Sequence, residues 1–185
     1  AASKSRLADT HRDLGNSSLA ASYYENALIL FTELQNYEAA VWTLETISEF
    51  YLAQGDFDAA LTHYQKTASM WEAQGVPERQ IRALHNAARI YGQLDDNDGA
   101  MQMFLAASEV ARAHGNPILL AGALSELGNM LRYVGQFDEA IVALSEALEL
   151  AQESSERLVL ATTTSRLADT YRDLGNDAEA TAHYK

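Results

Sequence analysis

Apolar residues recur along this chain at helical spacing, and the register of that recurrence repeats every 40 residues. The stretch SRLADTHRDLGN from Ser5 to Asn16 returns as SRLADTYRDLGN from Ser165 to Asn176, with His11 replaced by Tyr171. Steps of 40 between the two copies land on Gly15, Gly55, Asp95, Gly135 and Gly175. Five residues after each stands an alanine: Ala20, Ala60, Ala100, Ala140 and Ala180. Four further on come Tyr24, Tyr64, Phe104, Leu144 and Tyr184, then Ala27, Thr67, Ala107 and Ala147, then Leu30, Met70, Val110 and Leu150. Intervals of four, three and three trace one face of a helix.

A second apolar face precedes the turn. Its columns are Leu7, Ile47, Ala87, Leu127 and Leu167, the small set Ala8, Ser48, Ala88, Gly128 and Ala168, and His11, Tyr51, Tyr91, Leu131 and Tyr171. Each period therefore predicts helix A, a tight turn, helix B, and a second turn at QNY, GVP, GNP or SER. Pro77 and Pro117 suit a first helical turn, where a missing N–H costs nothing, and Asn116 is placed to cap ahead of Pro117. Glycine at the A-to-B turn supplies a left-handed residue, and Asp95 is a tolerable substitute.

The segment ALSELGNMLRYVGQFDEAIVALSEALELA, Ala123 to Ala151, resembles a tetratricopeptide repeat (TPR), with Leu127, Gly128, Leu131, Gly135, Phe137, Ala140, Leu144 and Ala147 on the family's signature spacing. Two departures stand out. The large residue usual early in helix A is replaced by Lys4, Leu44, Leu84, Leu124 or Thr164, and the period is 40 rather than about 34. The longer period resembles the extended-helix variant of animal polarity scaffolds and of sensor regions in large bacterial regulators. The resemblance implies an all-α, right-handed α-solenoid of stacked antiparallel helix pairs, a TPR-like superhelix. We expect a single domain over 1–185, with repeats at about 1–36, 37–76, 77–116, 117–156 and 157–185 and both terminal repeats truncated.

Composition narrows the function. With 185 residues and 48% hydrophobic content the chain is too apolar to be disordered, and its net charge of −13 disfavours nucleic acid, whose binding relies on clustered Lys and Arg. The absence of cysteine removes disulfides and thiolate chemistry. No apolar run approaches the roughly 20 residues of a membrane span. The expectation is a cytoplasmic protein with no membrane partner.

Catalytic and metal chemistry find little footing. His11, His63, His85, His114 and His183 lack HxxxH or HExxH spacing, so no metal or other cofactor is expected. The acidic run Asp95–Gly99 fails as a calcium loop, because Leu94 and Leu105 fall where ligands are needed. The serines and threonines have no evident base partner, so the chain is expected not to be an enzyme.

Binding remains, and on stacked helix pairs it falls on the concave helix A face. There the charge columns vary while the packing columns do not. Arg82, His85, Asn86 and Arg89 stand one repeat from Asn129, Arg132 and Tyr133, and Arg with Asn suits a carboxylate or a peptide backbone. In the family, Asn and basic residues on helix A commonly hold an extended peptide; Asn129 matches such a position, without the paired lysines of a full carboxylate clamp. Glu45 and Glu49 oppose this cluster, and Trp42 at the edge reads equally as an aromatic anchor or as packing. Trp71 reads as core. The expected function is a non-enzymatic scaffold binding a protein or peptide partner. The alternatives are a sensor module of a larger bacterial regulator, or a homo-oligomer assembled through the matching end repeats.

Overall fold

In the computed structural model, which describes residues 2–184, the chain forms ten α-helices among the described residues and no strand. They are α1 (Ala2–Asp13), α2 (Ser17–Glu33), α3 (Tyr37–Gln54), α4 (Phe57–Gln74), α5 (Pro77–Gln93), α6 (Asn97–His114), α7 (Pro117–Tyr133), α8 (Phe137–Glu153), α9 (Arg157–Asp173) and α10 (Asp177–Tyr184). Odd-numbered helices are the A helices of the repeat and even-numbered ones the B helices.

The turns explain this regularity. Left-handed residues occur every 20 positions, at Gly15, Gln35, Gly55, Gly75, Asp95, Gly115, Gly135, Ser155 and Gly175. In most of them the next residue's N–H reaches back to the carbonyl five positions earlier, as from Asn16 to His11 (2.8 Å) and from Asn176 to Tyr171 (2.8 Å), which closes the finished helix in a Schellman turn. That same residue often caps the next helix: Asn36, Asp56 and Asp96 accept from Ala39, Ala59 and Gly99 backbone N–H groups. Asn116 caps α7 ahead of Pro117, as its sequence position requires. Asp95 is left-handed with φ of 57°. Chain reversal is thus written twice per 40 residues, and within each unit successive helices run antiparallel.

The helices group into two compact units, Ala1–Val76 and Pro77–Lys185. Each is an all-α stack of antiparallel pairs, the solenoid architecture, in which consecutive helices pack on one another; in the second unit α7 also touches α9. The first unit's core joins Ala8, Ala20, Tyr24, Leu28, Leu44, Ile47 and Phe50. In the second, Leu124, Leu127, Leu131, Ala140, Ala143 and Ala147 form a core cluster.

The small columns are where helices cross closely. All five alanines of the invariant column are buried, at 4% exposure or less. At Gly128 an added Cβ would lie 2.5 Å from Leu144 Cγ, so the α7–α8 crossing leaves no room for a side chain. Trp71 is buried, in keeping with a core role. Leu7 is 44% exposed although Ile47, Ala87, Leu127 and Leu167 of its column are buried.

Candidate functional site

The second unit gathers all but one of the expected binding residues, on the A helices α5 and α7. On α5, Arg82 and Arg89 are exposed while His85 and Asn86 are half-buried. Spacing of three and four residues puts them on one helix face. Arg89 Nη1 donates to Asn86 Oδ1 at 3.4 Å, and no carboxylate among the described residues pairs with Arg89. His85 lies against Phe104, ring centroids 5.4 Å apart, and its buried Nε2 meets no hydrogen-bond partner among the described residues. Burial lowers its pKa, Glu126 opposes that shift and Arg166 reinforces it. The imidazole is therefore held neutral, and its charge environment shows that α5, α7 and α9 share this face.

On α7, Asn129 and Arg132 act together. Arg132 Nη2 donates to Asn129 Oδ1 at 3.1 Å, and Nη1 pairs with Asp173 Oδ2 at 2.6 Å across to α9. The Arg132 guanidinium lowers the Asp173 pKa, helped by Arg172. Asn129 thus spends its carbonyl inside the protein and keeps its amide N–H donors free among the described residues. Tyr133 is 70% exposed beside them.

A second bridge joins the same helices. Arg166 Nη2 meets Glu126 Oε1 at 2.7 Å while Nη1 donates to Ser125 Oγ at 2.9 Å, and Thr163 donates to the same buried oxygen at 2.9 Å. Neither this bridge nor Asp173 was singled out from the sequence. The available signal was an acid and an arginine 40 or 41 residues apart, since one period separates neighbouring A helices. The α5 set and the α7 set make no direct hydrogen bond to each other among the described residues.

The first unit holds Trp42, 53% exposed on α3. That helix carries Glu38, Glu45 and Glu49 and no Lys or Arg. A groove of about 170 Å³ lies between Arg12 and the α3 residues Thr46, Glu49, Phe50, Ala53 and Gln54. Arg12 is already occupied: it donates to the Tyr24 hydroxyl at 3.1 Å, which in turn donates to Asp9 at 2.6 Å. The arrangement recurs at the other copy, where Arg172 donates to Tyr184 at 3.1 Å and Tyr184 to Asp169 at 2.5 Å.

Of the remaining histidines, His114 is exposed and the other three stack on tyrosines. His11 stacks on Tyr23, Tyr51 on His63 and Tyr171 on His183, at centroid distances of 5.3, 5.4 and 5.6 Å. Burial lowers the His63 pKa against the pull of Glu25, whose Oε1 lies 3.1 Å from Nε2. Among the described residues no three His, Asp or Glu converge as a metal site, and no helix is long and apolar enough to cross a membrane.

Comparison with known proteins accounts for the repeats. A family model described as tetratricopeptide repeat matches residues 1–73, 38–113 and 119–185. BtubC (BKLC) from P. vanneervenii is 22% identical with a TM-score of 0.71, over 97% of this chain and 75% of that one. The apo form of RapI is 16% identical with a TM-score of 0.80, over 96% of this chain and 50% of RapI. The signal transduction ATPase PH0952 from Pyrococcus horikoshii, described as having a tetratricopeptide repeat sensor, is 17% identical with a TM-score of 0.67, over 91% of this chain and 26% of that protein. Among curated proteins, none matches the chain.

Proposed function

The chain belongs to the tetratricopeptide repeat family, and from that premise we propose that it is a non-enzymatic scaffold that captures a peptide or partner segment on the helix A face of its second unit. Arg89 carries the reading: an exposed cation with no carboxylate partner among the described residues, in a chain of net charge −13. Asn129 supports it, because an amide whose carbonyl is engaged presents its N–H groups to a peptide carbonyl. Arg132 acts by orienting Asn129, since its own charge is met by Asp173. Capture of partners from a lysate by the whole chain is the test, comparing wild type with Arg89→Glu. Loss of specific partners supports the face; an unchanged set removes Arg89 from the account.

A second reading draws on the P. horikoshii neighbour, whose repeats are described as a sensor. Here the array is the ligand-responsive part of a larger regulator. A nucleotide-hydrolysing or DNA-binding domain encoded in the same reading frame favours this reading, and a reading frame that holds repeats alone counts against it.

A further inference from the structure

Polar contacts hold α9 on α7. The buried side chains of α9 are Thr163, Leu167, Ala168 and Thr170, whereas α7 buries Leu124, Leu127, Met130 and Leu131. Across the contact Thr163 and Arg166 both donate to Ser125 Oγ at 2.9 Å, Arg166 also meets Glu126 at 2.7 Å, and Arg132 meets Asp173 at 2.6 Å. Such contacts contribute little each and depend on every partner keeping its charge, so a change of charge among them is felt by the whole contact.

The repeat carries this geometry one step back along the chain. Ser125 receives residues 38 and 41 positions ahead of it. His85 stands one period before Ser125, so the α7 residues that correspond are Ala123 and Glu126. His85 therefore faces Glu126 and, through it, the Arg166 guanidinium; both act on the ring electrostatically. On its other side the ring packs on Phe104 of α6, and Nε2 is buried with no hydrogen-bond partner among the described residues. On α5 itself Arg82 and Arg89, three residues before and four after, share the face of His85. The charges around it are thus Glu126 from α7, Arg166 from α9 and the two α5 arginines, while α6 brings an aromatic ring.

We infer that His85 is the proton-operated catch of a latch: once protonated, the imidazolium draws Glu126 away from Arg166 and repels that guanidinium, and α9 loosens from α7. Burial holds the docked imidazole below the ordinary histidine pKa, opposed by Glu126 and aided by Arg166. Loosening α9 removes Arg166 and admits water to the ring, so the open form binds the proton more tightly and acid favours opening. The effect starts below about pH 6.5 and, for a single proton, reaches at most about tenfold at pH 5.5. The latch acts whatever the helix A face binds, and its opening also parts Asp173 from Arg132.

Hydrogen–deuterium exchange of the whole chain, read helix by helix at pH 7.5 and 5.5 and corrected for intrinsic exchange rates, is the test. Opening of α9 should rise several-fold at the lower pH, and α5 and α7 should not follow. His85→Gln should remove the rise. Arg166→Gln should loosen α9 at both pH values, with little difference between them. Should circular dichroism show that His85→Gln disturbs folding, an NMR titration of the wild-type His85 ring takes its place: α9 opening should rise as pH falls and level off once the ring is fully protonated. Exchange in α9 that is the same at both pH values, a rise that survives His85→Gln, a rise shared equally by α5 and α7, or opening that ignores the titration of the ring overturns the latch.

Discussion

Arg132 and Asp173 meet at 2.6 Å across two neighbouring A helices, one repeat apart in the chain. Because Arg132 also holds Asn129, this ion pair connects the packing of α7 on α9 with the orientation of an expected binding residue.

Replacing Asp173 with Asn therefore removes the charge that Arg132 pairs with. Both partners are partly exposed, at 25% and 32%, so the pair contributes about 0.5–1 kcal/mol after solvent screening. The folded Asp173 carboxyl has a lowered pKa, so its contribution is present above about pH 4 and is lost as pH falls through the lower folded value. Urea melts of wild type and Asp173→Asn should differ at pH 7 and converge in strong acid. A gap that persists below pH 3 would show that the effect is packing rather than charge.

Gly128→Ala should cost about 1–3 kcal/mol, the range for forcing extra volume into a packed crossing. The equivalent residues Ala8, Ala88 and Ala168 accept a methyl group, whereas at Gly128 the new carbon would fall 2.5 Å from Leu144 Cγ and 3.3 Å from the Ala140 carbonyl oxygen. Thermal denaturation measures the loss. Gly128→Ala combined with Leu144→Ala tests the cause: if the contact is responsible, the double variant loses less than the sum of the singles.

His63 and His85 make the fold sensitive to mild acid. Burial lowers both pKa values, so below the ordinary histidine value of about 6.5 the unfolded chain takes up protons that the folded chain resists. Stability should be full above that pH and decline as pH falls through the lower folded values. Urea melts at pH 7.5 and 5.5 read this directly. His63→Gln with His85→Gln should flatten the difference, and an equally steep decline in the double variant would assign the sensitivity elsewhere.

How far the sequence carried the fold follows from what it repeats. Periodicity located both helices of every repeat, the alanine column and the Asn116 cap, because those depend on local geometry and on the size of one side chain. Leu7 escaped it, since burial depends on what packs against a side chain as well as on its column. At the site, identity placed Arg89, Asn129 and Arg132 on one layer but could not say which charges were already spent. Arg132 is held by Asp173 and Arg166 by Glu126, and such pairings require the side-chain geometry between successive A helices.

Left-handed turn residues supply the last prediction. Six of the nine turns use glycine, but Gln35 (φ 53°) and Ser155 (φ 59°) occupy the same left-handed conformation, in which a Cβ crowds the following carbonyl. Their turns are otherwise intact: Asn36 N–H reaches the Phe31 carbonyl at 2.9 Å and Glu156 N–H reaches Ala151 at 3.1 Å. Gln35→Gly and Ser155→Gly should each therefore stabilise by about 0.5–1 kcal/mol, with relief of side-chain strain exceeding the entropy glycine adds to the unfolded chain. The reverse change, Gly135→Gln at φ 80°, should destabilise by a similar amount. Melting temperatures of the three single variants decide the matter: no gain from either glycine substitution would mean the left-handed strain at these turns is already relieved by their hydrogen bonds.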